Sequence, residues 1–484
     1  MRINVQQEAK EFIPVGHNYA WYTHHLLLRQ AVGIIISSKK KENILLQCKK
    51  PYLAGKREFP PLKIINWEFP SEIQTFKVME SSFVLSREYF NPFNPDEIKV
   101  DFEVEYPDKT IARWPAFFNL HFFRQKQLNR EQIMPEGVPF WTFRFCPQIA
   151  GKYRLRLIIE DNSESLLKRN DSSTQTVRPP ACVLRAAKSA ASTTFNKPKI
   201  KGSELKGTNE NKNNIEKKII SEKNIIGELK KHKQTKRIQK IILSNSSDIG
   251  SKKTEQNFVE KGIKIETPWR EFIVKKGDNP GKVVRSKKPA TYFCFSNGKL
   301  FYPIGFNIHS IVDLRAQRQL RLKKTINLGT FTYDEFFQKM SENGINAVEL
   351  WMSAWCTAIE WTSRDHYYYG VGRYNLANAW KLDYLVQLAA QKGIYVHLVL
   401  DNHGKLAVHC DPEWYDSPYN KNRKFSIADG GFLSEPREYF TDEKAIKYNQ
   451  QRYRYIAARW GAYPNIFGLG VWSEVDLVKG ARTA

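Results

Sequence analysis

The chain predicts a two-part fold, an antiparallel β-sandwich followed by a parallel α/β sheet, and three observations carry that prediction. Between Thr75 and Arg285, short segments alternate apolar and polar residues and are separated by turn signals, the pattern of strands with one covered face. From Lys299 onward, apolar runs of strand length alternate with stretches of helical periodicity, as parallel strands joined by crossovers require. Near the C-terminal end, RWGAYPNIFGLGVWSEVD (459–476) holds an apolar run that breaks into Ser473, Glu474 and Asp476. A carboxylate just past a strand covered on both faces lies where α/β barrels keep their chemistry.

Composition bounds the reading. A chain of 484 residues has room for two or three domains with real cores. The net charge of +26 fits nucleic acid, an acidic polymer, or a lysine-rich insert. Residues 188–261 supply such an insert, with 18 Lys and Arg against 8 Asp and Glu and almost no aromatics. This segment cannot bury enough apolar surface to offset ordering, so disorder is expected, and without aromatic stacking platforms a tolerated insertion is favoured over a nucleic-acid arm. The six cysteines (Cys48, Cys146, Cys182, Cys294, Cys356, Cys410) contain no CxxC pair, which argues against a metal knuckle or a disulfide-dense module. Leu26–Ile36 is too short to span a membrane and carries Arg29. Residues 1–74 receive no assignment.

In the first part, Ile98, Val100, Phe102 and Val104 alternate with Lys99, Asp101, Glu103 and Glu105, predicting a strand with one wet face. Tyr153–Ile159 repeats the pattern, and Phe140–Phe145 adds another strand. Strand character resumes at Trp269–Val274 and Lys282–Arg285, which places the insert inside a sandwich spanning 75–290.

In the second part (291–484), the expected order is a strand at Leu300–Phe306 and a helix opened by a Thr332–Glu335 capping box and stopped by Gly344. A strand at Ile345–Met352 follows, then a helix through Leu382, Leu385, Val386 and Ala389. Next come a strand at Ile394–Leu400, a helix at Asp442–Trp460, and a strand from Ile466.

Each of these strands ends in polar or aromatic residues: Asn307 and His309; Trp351, Trp355 and Trp361; Asp401, Asn402 and His403; Trp472, Ser473 and Glu474. Singly, each could cap a loop or fill a core; together they suggest one site. Glycoside hydrolysis needs two carboxyl groups, and flat aromatic faces suit sugar rings. The loop after the third strand adds Trp414 and Tyr419. His403, His409, Cys410 and Asp411 are close in sequence, but their spacing fits no common zinc pattern, so no metal is expected. With no phosphate-binding glycine loop, no cofactor is expected either.

Residues 299–484 resemble the N-terminal half of a clan A glycoside hydrolase barrel of the cellulase and β-mannanase type. The likeness rests on GKLFYPIGFN (298–307), NAVELWM (346–352), LVLDNHG (398–404) and VWSEVD (471–476), supported by the loop at 414–431 and RYIAARWGAYPNIFG (454–468). NPFNP (91–95) and FRFCPQIAGKYRLRL (143–157) resemble the uncharacterised immunoglobulin-like domain that precedes such barrels in bacterial hydrolases. The implied architecture is an immunoglobulin-like sandwich followed by a (β/α)₈ TIM barrel truncated after about four βα units. The implied chemistry is retaining hydrolysis of a β-linked polysaccharide, with Glu474 as acid/base and His403 in the substrate site. The implied location is secreted or extracytoplasmic. Ser473 stands where the family usually has Asn, and Glu349 where it usually has Arg.

The partners expected are a polysaccharide or oligosaccharide and a complementing C-terminal half-barrel, with no nucleic acid and no membrane. The complementing half is expected because a barrel needs eight strands in about 250 residues, and the resembled family takes its nucleophile from the seventh strand. On this reading the chain alone is an incomplete hydrolase. The alternatives are a non-catalytic glycan-binding protein of the same descent and, more remotely, a basic nucleic-acid-binding protein.

Overall fold

The computed structural model describes residues 61–127, 130–166, 262–287, 292–308, 328–363, 368–423 and 429–480. The expectations for the insert at 188–261, the Leu26–Ile36 segment and His309 lie outside these residues. Among those described, the chain is rich in β-structure, with several sheets and three α-helices of two turns or more.

Ten strands build the first part: β1 (Ile64–Glu68), β2 (Glu72–Gln74), β3 (Met79–Leu85), β4 (Ile98–Glu105), β5 (Ile111–Pro115), β6 (Phe117–Gln127), β7 (Arg130–Phe145), β8 (Gly151–Asp161), β9 (Ile263–Glu266) and β10 (Arg270–Lys275). One sheet runs β1-β3-β7-β6; the other runs β2-β10-β8-β4-β5, with β9 on β8. All pairs are antiparallel except β2–β10. The alternating apolar rows face each other: Phe102 of β4 stacks on Phe143 of β7 with ring centres 4.2 Å apart, and Phe83, Leu155 and Leu157 are buried beside them. Asp161 pairs directly with Ile263. The two ends of the chain that flank residues 167–261 are therefore neighbours in one sheet, which keeps the entropic cost of the intervening length small.

The wet face expected of β4 is covered at two positions. Asp101 and Glu105 are buried. Asp101 pairs with Arg454 from a helix of the second part, and Glu105 with Arg154 of the neighbouring strand. Period-two alternation shows that two faces differ, but not what packs on the polar one.

A small antiparallel meander follows, β11 (Val283–Arg285), β12 (Phe293–Phe295) and β13 (Leu300–Phe301). The single strand expected over Leu300–Phe306 is thus two. Leu300–Phe301 closes the meander, Pro303 interrupts pairing because it has no N–H to offer, and β14 (Gly305–Asn307) opens a new sheet. Lys282–Arg285 likewise joins the meander rather than the sandwich. Phe295 and Phe301 pack on Tyr395 at the start of a parallel strand, with ring centres 5.3 and 4.8 Å away, so the meander covers the N-terminal end of the sheet.

That sheet contains β14, β15 (Ala347–Trp351), β16 (Tyr395–Val399) and β17 (Ile466–Gly470), all parallel and in sequence order. Helices α1 (Thr330–Glu342), α2 (Leu376–Gln391) and α3 (Glu443–Trp460) connect them. Asn375 and Asp442 cap α2 and α3 by accepting from Asn378 and Ala445 N–H groups. The expected capping box at Thr332 does not form. Helix α1 begins three residues earlier, after Gly329 at φ 61°, and its first N–H, from Thr330, donates to Glu131 of β7 at 3.0 Å. A carboxylate of the sandwich therefore caps a helix of the second part. No described helix is long and apolar enough to cross a membrane.

The sandwich docks on α2 and α3 around a buried charge cluster. Both guanidiniums of Arg144 (β7) and Arg459 (α3) clamp the Asp383 carboxylate (α2), with four N–O distances of 2.8–3.1 Å. Arg144 also donates to Glu80 at 2.5 Å and to the Arg459 carbonyl at 2.9 Å. Burial acts to raise the Asp383 pKa, but the two arginines outweigh it and hold the group below the usual carboxylate range. Removing one partner of a buried pair leaves uncompensated charge and typically costs about 3–5 kcal/mol. Asp383→Asn should therefore lower stability at neutral pH by that order, measured by urea unfolding. A loss under about 1 kcal/mol, the scale of an exposed pair, would show that the cluster does not hold the parts together.

Candidate functional site

The site grows from the way β16 and β17 continue past their ends. Their apolar residues keep them in the sheet as far as Val399 and Gly470. Beyond that, the Leu400 N–H donates to the Gly470 carbonyl at 2.8 Å, and the Ser473 N–H donates to the Asp401 carbonyl at 2.9 Å. Asn402 and Ser473 form a parallel bridge. These links bring His403, in a single 3₁₀ turn, beside Glu474. His403 Nδ1 and Glu474 Oε2 lie 2.9 Å apart in a contact that is not aligned for a hydrogen bond. The His403 side chain is 6% exposed and that of Glu474 is 52% exposed, so a buried ring supports a carboxyl group open to solvent. Glu474 has φ 58°, a left-handed backbone that costs a non-glycine residue energy and is found where surrounding structure imposes it.

A second histidine–carboxylate pair lies within the strands, before their ends. Asn307, Glu349, His397 and Gly468 are register neighbours across the four strands. Glu349 accepts from Trp351 Nε1 at 2.8 Å and faces His397 Nδ1 at 2.9 Å. The His397 ring fits because β17 has no side chains there. A Cβ on Gly468 would approach it to 2.9 Å, and one on Gly470 to 3.1 Å. The two glycines of IFGLG are thus room for an imidazole. Sequence reading singled out Glu349 only as an unusual residue and missed His397, which sits inside the apolar run YVHLV. The available signal was a histidine in strand register with a carboxylate.

The remaining predicted residues divide. Asn307 lies at the C-terminal end of β14, and Trp351 ends β15. Trp355 is exposed, as a docking aromatic must be. Trp472 is partly buried, packed on Tyr439 and Phe440 with ring centres 5.6 and 5.4 Å away. Ser473 takes its place through its backbone. Trp414 and Tyr419 do not reach the rim. Both are buried in a satellite core with Leu406, Leu433 and Tyr439, and the Tyr419 hydroxyl donates to buried Glu360 at 2.8 Å. The loop that carries them folds back on itself and exposes Tyr415 instead.

Asp401 is also turned inward. Arg452 of α3 clamps both its oxygens, and Lys405 Nζ donates to it at 2.9 Å, all three side chains being buried. Burial favours the neutral acid, but Arg452 and Lys405 outweigh it and hold its pKa below the usual range. Burial, then the nearby Arg452 charge, holds Lys405 below the ordinary lysine range. This triad anchors the loop that bears His403 and leaves Asp401 no free oxygen for a ligand. A depressed carboxyl pKa contributes stability that is complete above the unfolded value of about 3.9 and is lost as pH falls through the lower folded value. Asp401→Asn should therefore destabilise the chain at pH 7 and flatten its stability-versus-pH curve below about pH 4, followed by urea unfolding at several pH values. An unchanged acid slope would mean that Asp401 titrates alike in both states.

No protein-family model and no curated protein matches the chain. Among solved structures, a Bacteroides vulgatus chain provisionally described as a glycoside hydrolase aligns with a TM-score of 0.39 and 16% identity, covering 86% of this chain and 51% of that one. The present chain thus spans about half its length. The CARDB domain of a Pyrococcus furiosus protein, in complex with two metal ions, aligns with a TM-score of 0.13 and 17% identity over 21% of this chain and 71% of that domain. At these scores neither likeness decides the function, which has to be argued from the residues.

Proposed function

We propose that the parallel sheet carries the acid/base group of a retaining glycoside hydrolase acting on a β-linked polysaccharide outside the cytoplasm. The observation that carries this reading is the solvent-open Glu474 carboxyl group, held 2.9 Å from a buried histidine where adjacent parallel strands end. In this role Glu474 gives a proton to the departing glycosidic oxygen and later takes one from the water that completes hydrolysis. His403 orients the carboxyl group, and exposed Trp355 offers a flat face to a sugar ring. The second carboxyl group, needed at about 5–5.5 Å, is not Asp401, whose oxygens Arg452 and Lys405 occupy.

The engagement of Asp401 also favours a second reading, a non-catalytic glycan-binding protein that keeps the rim. Release of reducing ends from β-glucan and β-mannan separates the two. Turnover should fall about 10²–10⁴-fold in Glu474→Gln with oligosaccharide binding retained. Turnover undiminished in Glu474→Gln would refute the acid/base role. Oligosaccharide binding that Trp355→Ala weakens, without turnover in the wild-type chain, would establish the second reading.

A further inference from the structure

Three donor atoms of different chemistry meet beside His403. His403, Cys410 and Asp411 each place one ligand atom within 4.8 Å of the other two. Their sequence spacing matches no familiar zinc pattern, but the turn at 403–405 and the loop after it bring them together. His403 Nε2 lies 3.3 Å from Asp411 Oδ2, close to the separation of about 3.3–3.8 Å between two atoms bound to one tetrahedral ion.

The histidine has little freedom. Its side chain is 6% exposed, and its other nitrogen, Nδ1, faces Glu474 Oε2 at 2.9 Å. The contact at Nδ1 is not aligned for a hydrogen bond, whereas Nε2 and Asp411 Oδ2 lie within hydrogen-bond geometry of each other. A cation entering between these two atoms takes the place of the proton they share, which moves to Nδ1 on the side of Glu474. A carboxylate behind a histidine that points its second nitrogen outward is the arrangement that orients metal-bound imidazoles. Cys410 and Asp411 are exposed, so an ion can enter from solvent and keep a water as a further ligand.

We propose that His403 Nε2, Cys410 Sγ and Asp411 Oδ2 form a binding site for a borderline-soft divalent cation of the zinc or cobalt type, with Glu474 as the orienting carboxylate. The mixed nitrogen, thiolate and carboxylate set suits zinc and disfavours calcium and magnesium, which take oxygen ligands. Binding releases the thiol proton to solvent as the Cys410 sulfur takes the ion. The site shares His403 and Glu474 with the proposed saccharide site but does not depend on that reading, because its test reads the metal and not sugar.

The experiment is titration of the full, metal-stripped chain with zinc, followed by cobalt, with absorbance as the second readout. One ion should bind per chain, and cobalt should produce a thiolate charge-transfer band in the near ultraviolet. Cys410→Ser should remove that band, and Cys410→Ser and Asp411→Asn should each weaken zinc binding at least about tenfold; Glu474→Gln, acting through the histidine, should weaken it about 10–100-fold. Cys410 and Asp411 are exposed, so the metal-free variants should melt with the wild type and report binding alone. Zinc bound with unchanged affinity by Cys410→Ser and Asp411→Asn, a cobalt–thiolate band surviving Cys410→Ser, or no stoichiometric binding at micromolar zinc would each overturn the proposal.

Discussion

Two arginines closing on one buried aspartate set the frame for everything else. Arg144 comes from the sandwich, Arg459 from α3 and Asp383 from α2, so a single carboxylate joins three elements from the two parts of the chain. Burying three charges is costly, and the planar, bidentate geometry of both guanidiniums is what makes it tolerable. The same helix repeats the device. Arg454 reaches the sandwich at Asp101, and Arg452 reaches the strand-end loop at Asp401. Three arginines on α3 thus fix the sandwich, the neighbouring helix and the loop that carries His403.

The consequence for the site is rigidity at its base and openness at its rim. Asp401 is held by Arg452 and Lys405, and its carbonyl accepts from the Ser473 N–H. The segments bearing His403 and Glu474 are therefore tied to each other and to α3. The glycines of β17 admit the His397 ring against Glu349 beneath them. One histidine–carboxylate pair thus lies within the strands and another just past their ends, while Trp355 and Tyr415 are exposed.

Much of this was legible in the sequence where one signal dominated. The apolar runs at 347–351, 395–399 and 466–470 and the periodicity of α2 and α3 were readable as elements, but the cover on both faces expected of the last strand is not there: β17 holds no buried residue and Leu469 is half exposed. Placing His403 and Glu474 at strand ends put both in one expected site, but their direct contact was not read from the sequence. What failed depended on partners distant in sequence. Asp101 looked solvated because its arginine is 353 residues away. Thr332 looked like a cap because the true cap, Glu131, belongs to the sandwich. Asp401 and Tyr419 looked like site residues because a polar group after a strand reads alike whether it faces solvent or a buried cation. Spacing statistics also hid the meeting of His403, Cys410 and Asp411, which the fold of one loop creates.

The central claim is that Glu474 addresses a glycosidic oxygen at the end of this sheet. A crystal structure with a β-linked oligosaccharide tests it most directly. The account predicts a sugar ring against Trp355 and a glycosidic oxygen about 2.6–3.2 Å from the Glu474 carboxyl group, the reach of a general acid. An oligosaccharide bound elsewhere, with Glu474 facing only solvent and His403, would contradict it.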